Sequence, residues 1–175
     1  QIHNLKVFND KSIFQLIKRV KPNEIYNLAG ESSVAKSFVN PISTFEDIFN
    51  INFYIVSNIK KNFKTIKYFN ACSSECFGNK KIELNKNKYI FDPLSPYAIA
   101  KSATFYFNQF YRNEFNLKLT SGIMFNHESP LRSKNFLTKK VISGLIDIKL
   151  GKKEFIEVGN LDVKRDWGYA PDFVL

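Results

Sequence analysis

Glu24-Ile25-Tyr26-Asn27-Leu28-Ala29-Gly30-Glu31-Ser32-Ser33 reads as a short strand, EIYNL, that breaks at its carboxyl end into a turn-rich loop. The same pattern recurs twice. Residues 66–72 (IKYFNAC) are predicted as a second strand opening into a loop at 73–78, and 117–125 (LKLTSGIMF) as a third opening into a loop over 126–134. Helical patterns lie between them. Asp10–Val20 places Ile13, Leu16, Ile17 and Val20 at helical spacing, with Asp10 as the expected cap and Lys21-Pro22-Asn23 as the stop. Pro41–Asn62 carries Ile42, Phe45, Ile48, Phe49, Phe53, Ile55, Val56 and Ile59, the pattern of a long, largely buried helix. Helices are also expected from Pro96 to about Phe115 and over 136–150, the latter closed by Gly151. A polar loop over 79–88 and a fourth short strand over 155–158 complete the reading. Strand and helix alternate, which predicts a parallel sheet covered by helices on both faces. In such sheets ligands bind at the carboxyl ends of the strands, so the loops at 29–33, 73–78 and 126–132 are expected to line one crevice.

Composition narrows the classes. A chain of 175 residues that is 44% hydrophobic, with 18 Phe and 8 Tyr, can bury one sizeable core and is not a disordered sequence. No apolar run reaches the roughly 20 residues of a membrane span, and no secretory signal pattern opens the chain. The two cysteines, Cys72 and Cys76, are spaced C-x-x-x-C, which fits neither a zinc knuckle nor a redox C-x-x-C pair. Reduced thiols in a cytoplasmic protein are the expectation, with no metal site. The formal net charge of +10 is spread over pairs such as Lys60-Lys61, Lys80-Lys81, Lys139-Lys140 and Lys152-Lys153, near helix ends or loops. Lysines there complement helix dipoles or attract phosphorylated ligands. No nucleic-acid motif accompanies them.

The chemistry centres on Ser95-Pro96-Tyr97-Ala98-Ile99-Ala100-Lys101. Ser suits an N-cap and Pro the first helical position, so Tyr97 and Lys101, four apart, share one helix face. An ammonium beside a phenol favours the phenolate, and the spacing predicts a Tyr97 pKa lowered by Lys101 so that the oxygen acts as a base. Upstream, Ser73 and Glu75 are two apart, and in extended backbone their side chains share one side.

Six segments resemble one family: EIYNLAGESSV (24–34), ACSSECFG (71–78), SPYAIAKSA (95–103), GIMFNHESPLR (122–132), NFLTKK (135–140) and GNLDVKRDWGYAPDFV (159–174). Together they are similar to GDP-mannose 4,6-dehydratases of the extended short-chain dehydrogenase/reductase superfamily. FNHESP and RDWGYA are far more specific than Y-x-x-x-K. The resemblance implies a partial doubly wound, Rossmann-type α/β fold. Residues 1–133 would form an incomplete NAD(P)-binding domain carrying the catalytic residues, and 134–175 the beginning of a substrate-binding region. It implies conversion of GDP-mannose to GDP-4-dehydro-6-deoxy-mannose with NADP accepting and returning a hydride, in a homodimer or homotetramer, with no nucleic-acid or membrane partner. Tyr97 would take the proton of the C4 hydroxyl, and Lys101 would tune Tyr97 and hold the cofactor ribose. Glu75 would abstract the C5 proton and serve the departing C6 hydroxyl, while Ser73 would hydrogen-bond the C4 oxygen. Leu28, Ala29, Gly30, Ser32, Lys101, His127 and Arg132 would contact the cofactor; Asn126, Lys140 and Arg165 would face the substrate.

Plainer readings stand beside these. A single histidine such as His127 ordinarily satisfies a loop or core, and Arg165-Asp166 could be a surface ion pair worth under about 1 kcal/mol. Ser73 could simply end a strand, and Lys140 could be a solvated helix residue. A related epimerase or reductase is the alternative within enzymes, and Glu75 discriminates, because elimination across C5 and C6 needs a carboxylate. A non-catalytic basic binding module is the alternative outside them.

Departures from the family pattern are also plain. The glycine-rich turn that cradles the cofactor pyrophosphate does not occur; the first glycine is Gly30. Lys6 or Val7 stands where the family has an adenine-contacting aspartate, Glu31 replaces a Gln, and Ser43 a Tyr. The chain is therefore expected to be the central piece of a longer dehydratase and to bind NADP poorly and lack turnover by itself. The strand at 24–28 would be an exposed edge.

Overall fold

Asn9, in extended backbone, starts the first helix. The computed structural model describes residues 2–5, 8–79 and 91–174; Lys6, Val7 and all but Asn79 of the loop expected over 79–88 lie outside these residues. The Asn9 side chain accepts from the Ser12 amide at 2.8 Å, and the Ser12 hydroxyl accepts from the Asn9 amide at 3.0 Å, a complete capping box for α1 (Asp10–Val20). The cap is thus Asn9 and not Asp10, which is already helical and so cannot turn its side chain back on the first turn. Lys21, at φ 51°, ends the helix in left-handed backbone.

β1 (Glu24–Asn27) follows, then α2 (Val34–Val39), a short helix capped by the Ser33 hydroxyl that hydrophobic periodicity did not announce. α3 has the expected bounds, Pro41–Asn62, with proline at its start. Its burial is one-sided, however. Thr44, Ile48, Asn52, Ile55, Val56 and Ile59 face inward while Ile42 is 74% exposed. β2 (Lys67–Ser73) runs into a 3-10 helix, Ser74–Phe77. α4 (Pro96–Phe115) and β3 (Leu119–Met124) close the first of two compact units, Gln1–Met124. Its sheet is parallel throughout, in the order β1-β2-β3, with Asn27 opposite Asn70 and Ser73 opposite Met124. The α/β expectation is met, and β2 is the central strand of the three.

Ile13 and Ile17 of α1, Ile55, Val56 and Ile59 of α3, Tyr68 of β2 and Leu119 of β3 form the main core. Beside it runs a buried polar chain. Asn27 Nδ2 donates to the Tyr68 hydroxyl (3.0 Å) and to Asn70 Oδ1 (3.1 Å), and the Tyr68 hydroxyl donates to Asn52 Oδ1 (2.8 Å). Asn52 and Asn108 exchange a bond in each direction (3.0 and 3.1 Å), and Asn70 Nδ2 donates to the Thr104 hydroxyl (3.3 Å). Buried amides are tolerated because they are paired, and these pairs lock β1 and β2 to α3 and α4. On the opposite sheet face Tyr26 and Phe69 stack at 5.9 Å, and the Phe69 ring lies where a Gly122 Cβ would fall, 2.5 Å from Cζ.

The second unit, Phe125–Leu175, contains β4 (Asn126–Glu128), α5 (Leu137–Lys149), β5 (Trp167–Tyr169) and a 3-10 helix, Ala170–Phe173. β4 pairs with β5 in parallel, so a three-residue strand opens the segment expected to be a loop over 126–134. The strand expected over 155–158 is absent. Ile156 instead packs on α5, where a Cβ at Gly144 would come within 2.7 Å of it. Ile156 serves helix packing and not a ladder, while Phe155 and Val158 stay exposed. Among the described residues no helix is long and apolar enough to cross a membrane.

Tyr68→Phe would remove one hydrogen bond from each of two buried amides, Asn27 and Asn52, by deleting one hydroxyl. A loss of about 1–3 kcal/mol is expected in equilibrium urea unfolding; an unchanged midpoint would show that the polar chain does not hold the sheet to the helices.

Candidate active site

At the carboxyl end of β1, Asn27 Oδ1 accepts from the Ala29 amide (3.2 Å), which turns the chain out of the sheet. Gly30 has φ +111°, and a Cβ there would meet Ile48 Cγ1 at 2.8 Å, so both conformation and space require glycine. Glu31 does not present a bare charge. Its Oε1 accepts from the Ser33 and Ser32 amides at 2.8 Å each, and Lys36 lies 3.6 Å from the other oxygen. The Ser33 bond chiefly holds this carboxyl below its ordinary range. Leu28, Ala29, Gly30 and Ser32 are exposed along this loop.

The parallel register brings the end of β2 to the same sheet edge. Ser73 is buried, and its Oγ accepts from the Glu75 amide at 3.3 Å, capping the 3-10 helix. Glu75 therefore sits on a helical turn and not in extended backbone, which corrects the basis on which the two side chains were expected to share a side. α4 begins where expected: the Ser95 hydroxyl accepts from the Ala98 amide at 3.1 Å, and Pro96 opens the helix. That start places Tyr97 against Ile48, Ala100 and Val34. Tyr97 is 8% exposed and Lys101 7%. Lys101 Nζ donates to the Ala71 carbonyl at 2.8 Å and stands 5.8 Å from the Tyr97 ring centroid.

The electrostatics differ from expectation. Burial pushes the Tyr97 phenol above its ordinary value, the Ser73 hydroxyl pulls it back by hydrogen bonding, and the Glu75 carboxylate is near enough to add to the rise. Burial also lowers Lys101. The lysine spends its charge on a backbone carbonyl, so the lowered phenol predicted from Y-x-x-x-K is not what the free chain presents. Sequence spacing identified the face but could not weigh desolvation against one ammonium.

Ser73, Glu75, Tyr97 and Lys101 are thus gathered at one end of β2. This arrangement can hold an oxygen-bearing ligand between a hydroxyl, a phenol and a carboxylate. Among the described residues no group of three or more His, Cys, Asp or Glu could hold a metal ion.

In the second unit, the Asn126 amide donates to the Asp166 carbonyl (3.3 Å), next to Arg165, which is exposed. His127 Nδ1 faces the Phe125 carbonyl at 2.8 Å and must carry the proton, leaving Nε2 buried and without a partner among the described residues. Phe173 packs edge-on against the His127 ring at 4.2 Å. Arg132 stacks over Phe136 at 3.5 Å and pairs with Glu128, also at 3.5 Å; Glu128 in turn accepts from the Thr138 hydroxyl. Lys140 is exposed on α5 and lines a groove with Lys152, Lys153 and Ile156. Asn27 and Asn70, which steer the loop and the helix, were not anticipated; a polar residue inside an otherwise apolar strand was the available signal.

Comparison with known proteins gives a consistent answer. Residues 1–175 match the family described as GDP-mannose 4,6 dehydratase. The chain is 36% identical to GDP-mannose 4,6 dehydratase 2 of Arabidopsis thaliana and 37% identical to GDP-mannose 4,6 dehydratase of Drosophila melanogaster. Each alignment covers 99% of this chain, and 48% and 45% of the respective relative. The chain thus spans about half the length of the curated relatives it matches. In fold it is similar to RMD from Pseudomonas aeruginosa, solved as a complex with NADPH, with a TM-score of 0.83 at 22% identity over 94% of this chain and 56% of that one.

The raised phenols have a measurable sign. Tyr97 and Tyr68 keep their protons in the fold after the unfolded chain has released its own near pH 10, so their contribution is intact below about pH 10 and lost as pH rises past it. Lys101 acts oppositely, regaining stability as pH climbs toward its ordinary value near 10.5. Urea unfolding between pH 8 and 11 is expected to show falling stability above about pH 10. Tyr97→Phe should make that fall shallower, and an identical slope would count against a desolvated phenol.

Proposed function

The chain belongs to the GDP-mannose 4,6-dehydratase family, and on that premise we propose that it carries the catalytic centre converting GDP-mannose to GDP-4-dehydro-6-deoxy-mannose. The observation that supports this most is the meeting of Ser73, Glu75, Tyr97 and Lys101 at the end of β2. NADP, when bound, supplies an acceptor for a hydride from sugar C4 that is returned to C6. Two features of the chain fit such a group. Lys101 has an acceptor for one of its N–H groups in Ala71, with others left for a ribose diol. His127 Nε2 is buried and has no hydrogen-bond partner among the described residues. Leu28, Ala29, Gly30, Ser32 and Arg132 are assigned to the same cofactor.

Tyr97 accepts the proton of the C4 hydroxyl, with the Lys101 ammonium as the charge that makes its phenolate accessible once ligands close the site. Ser73 hydrogen-bonds the C4 oxygen as charge develops there. The C4 ketone acidifies the neighbouring C–H, and Glu75 removes the C5 proton and protonates the departing C6 hydroxyl. A carboxylate suits this step because it acts first as base and then as acid on adjacent carbons. Asn126, Lys140 and Arg165 are assigned to the nucleotide sugar, Lys140 and Arg165 meeting its guanosine diphosphate portion. Residues 134–175 are read as the start of its binding region. A cytoplasmic setting, where nucleotide sugars and reduced thiols coexist, accords with this.

The test is conversion of GDP-mannose, with NADP supplied, by enzyme containing these residues. The expected product is a 4-keto-6-deoxy sugar nucleotide, and Glu75→Gln and Tyr97→Phe should each lower turnover by about a hundred- to ten-thousand-fold. An epimer as product, or full turnover in Glu75→Gln, would overturn the assignment.

A further inference from the structure

Two thiols flank the site and have no part in the proposed chemistry. Cys72 lies in β2 and Cys76 in the 3-10 helix that follows. Four residues of extended strand would hold them about 13 Å apart. The turn at Ser74 instead folds the chain back, and the two Sγ atoms meet at 3.6 Å. Both are buried, at 2% and 0% exposure, in an apolar cluster packed with Phe105, Phe91 and Ile123.

We propose that Cys72 and Cys76 form an oxidation site, a dithiol that a small hydroperoxide converts to an intrachain disulfide whose ring encloses Ser73, Ser74 and Glu75. Proximity carries this. The sulfurs need only close from 3.6 Å to the about 2.05 Å of an S–S bond. Burial of both sulfurs among apolar side chains excludes a bulky disulfide such as oxidised glutathione and leaves a small hydroperoxide as the oxidant. The two thiols are also unequal. Cys76 is favoured as the thiolate, chiefly by the hydrogen bond from Cys72 and also by the Ser73 backbone and Lys101, against the effect of burial. The thiolate is the attacking form.

The step balances. The Cys76 thiolate attacks one peroxide oxygen, the O–O bond breaks, and the displaced hydroxide leaves as water on protonation, giving a sulfenic acid. The Cys72 sulfur then attacks the Cys76 sulfur, forming S–S and breaking S–O, and the Cys72 proton leaves with that oxygen as a second water. Two electrons pass from the thiol pair to the peroxide. A dithiol reductant reverses the change. The closed ring constrains the turn on which Ser73 caps Glu75, so oxidation lowers turnover. That consequence rests on the roles proposed above for Ser73 and Glu75, whereas the crosslink does not.

Treating the folded protein with hydrogen peroxide, alkylating it and digesting it with trypsin reports the outcome on one peptide, residues 68–80, which holds both thiols. Met124, the sole methionine, records the oxidant dose through its sulfoxide. The expected result is a peptide lighter by two hydrogen atoms that resists alkylation until dithiothreitol is added, with Cys72→Ser and Cys76→Ser each abolishing that species. Two alkylatable thiols at a dose that has oxidised Met124, or a peptide that gains oxygen without crosslinking, would overturn the proposal. If the crosslink forms while turnover persists, the roles given to Ser73 and Glu75 fail and the oxidation site stands.

Discussion

An ammonium group inside a protein must find an acceptor or lose its charge. Lys101 finds the Ala71 carbonyl, one strand position before Cys72 and two before Ser73. That single bond crosses from α4 to β2 and fixes how the helix lies over the strand. Everything in the site follows from it. The Ser95 cap and Pro96 decide where the helix begins, and thereby that Tyr97 and Lys101 fall on the face turned to the sheet. Thr104, one turn further on, donates to the Lys101 carbonyl and accepts from Asn70, so the register of helix against strand is set twice. Were α4 to begin one residue later, its inward face would rotate by about 100° and the phenol would leave Ser73.

The chain shows where sequence reading succeeds and where it stops. Long elements bounded by proline and capping residues, α3 and α4 above all, are legible because the boundary signal and the apolar period agree. The three strands of the first unit are legible as well, to within a residue or two. Short elements are not. α2 has six residues and little apolar period, and β4 and β5 exist only by pairing with each other across residues far apart in sequence. Residues 155–158 show the reverse error, an expected strand of which only Ile156 is held, and by a helix face. The meeting of Ser73, Glu75, Tyr97 and Lys101 was legible from motif and spacing; their electrical state was not. Whether a phenol beside a lysine ionises depends on how deeply both are buried, and only the packed fold supplies that. The family resemblance was legible in motifs such as FNHESP and RDWGYA, and the match extends over the whole chain. The fold persists further still, as the TM-score of 0.83 at 22% identity shows.

The amides of Asn52 and Asn108 face one another in α3 and α4 and satisfy each other in both directions, much as two bases pair. Each has one further bond, Asn52 Oδ1 accepting from the Tyr68 hydroxyl and Asn108 Nδ2 donating to Ser121, and a one-sided change to an aliphatic residue still takes from the remaining amide its main partner in a dry interior. The two positions therefore behave as a single heritable unit. In descendants of this sequence a change to an apolar pair should come together with loss of the Tyr68 hydroxyl that Asn52 accepts, and rarely by way of a mismatched intermediate.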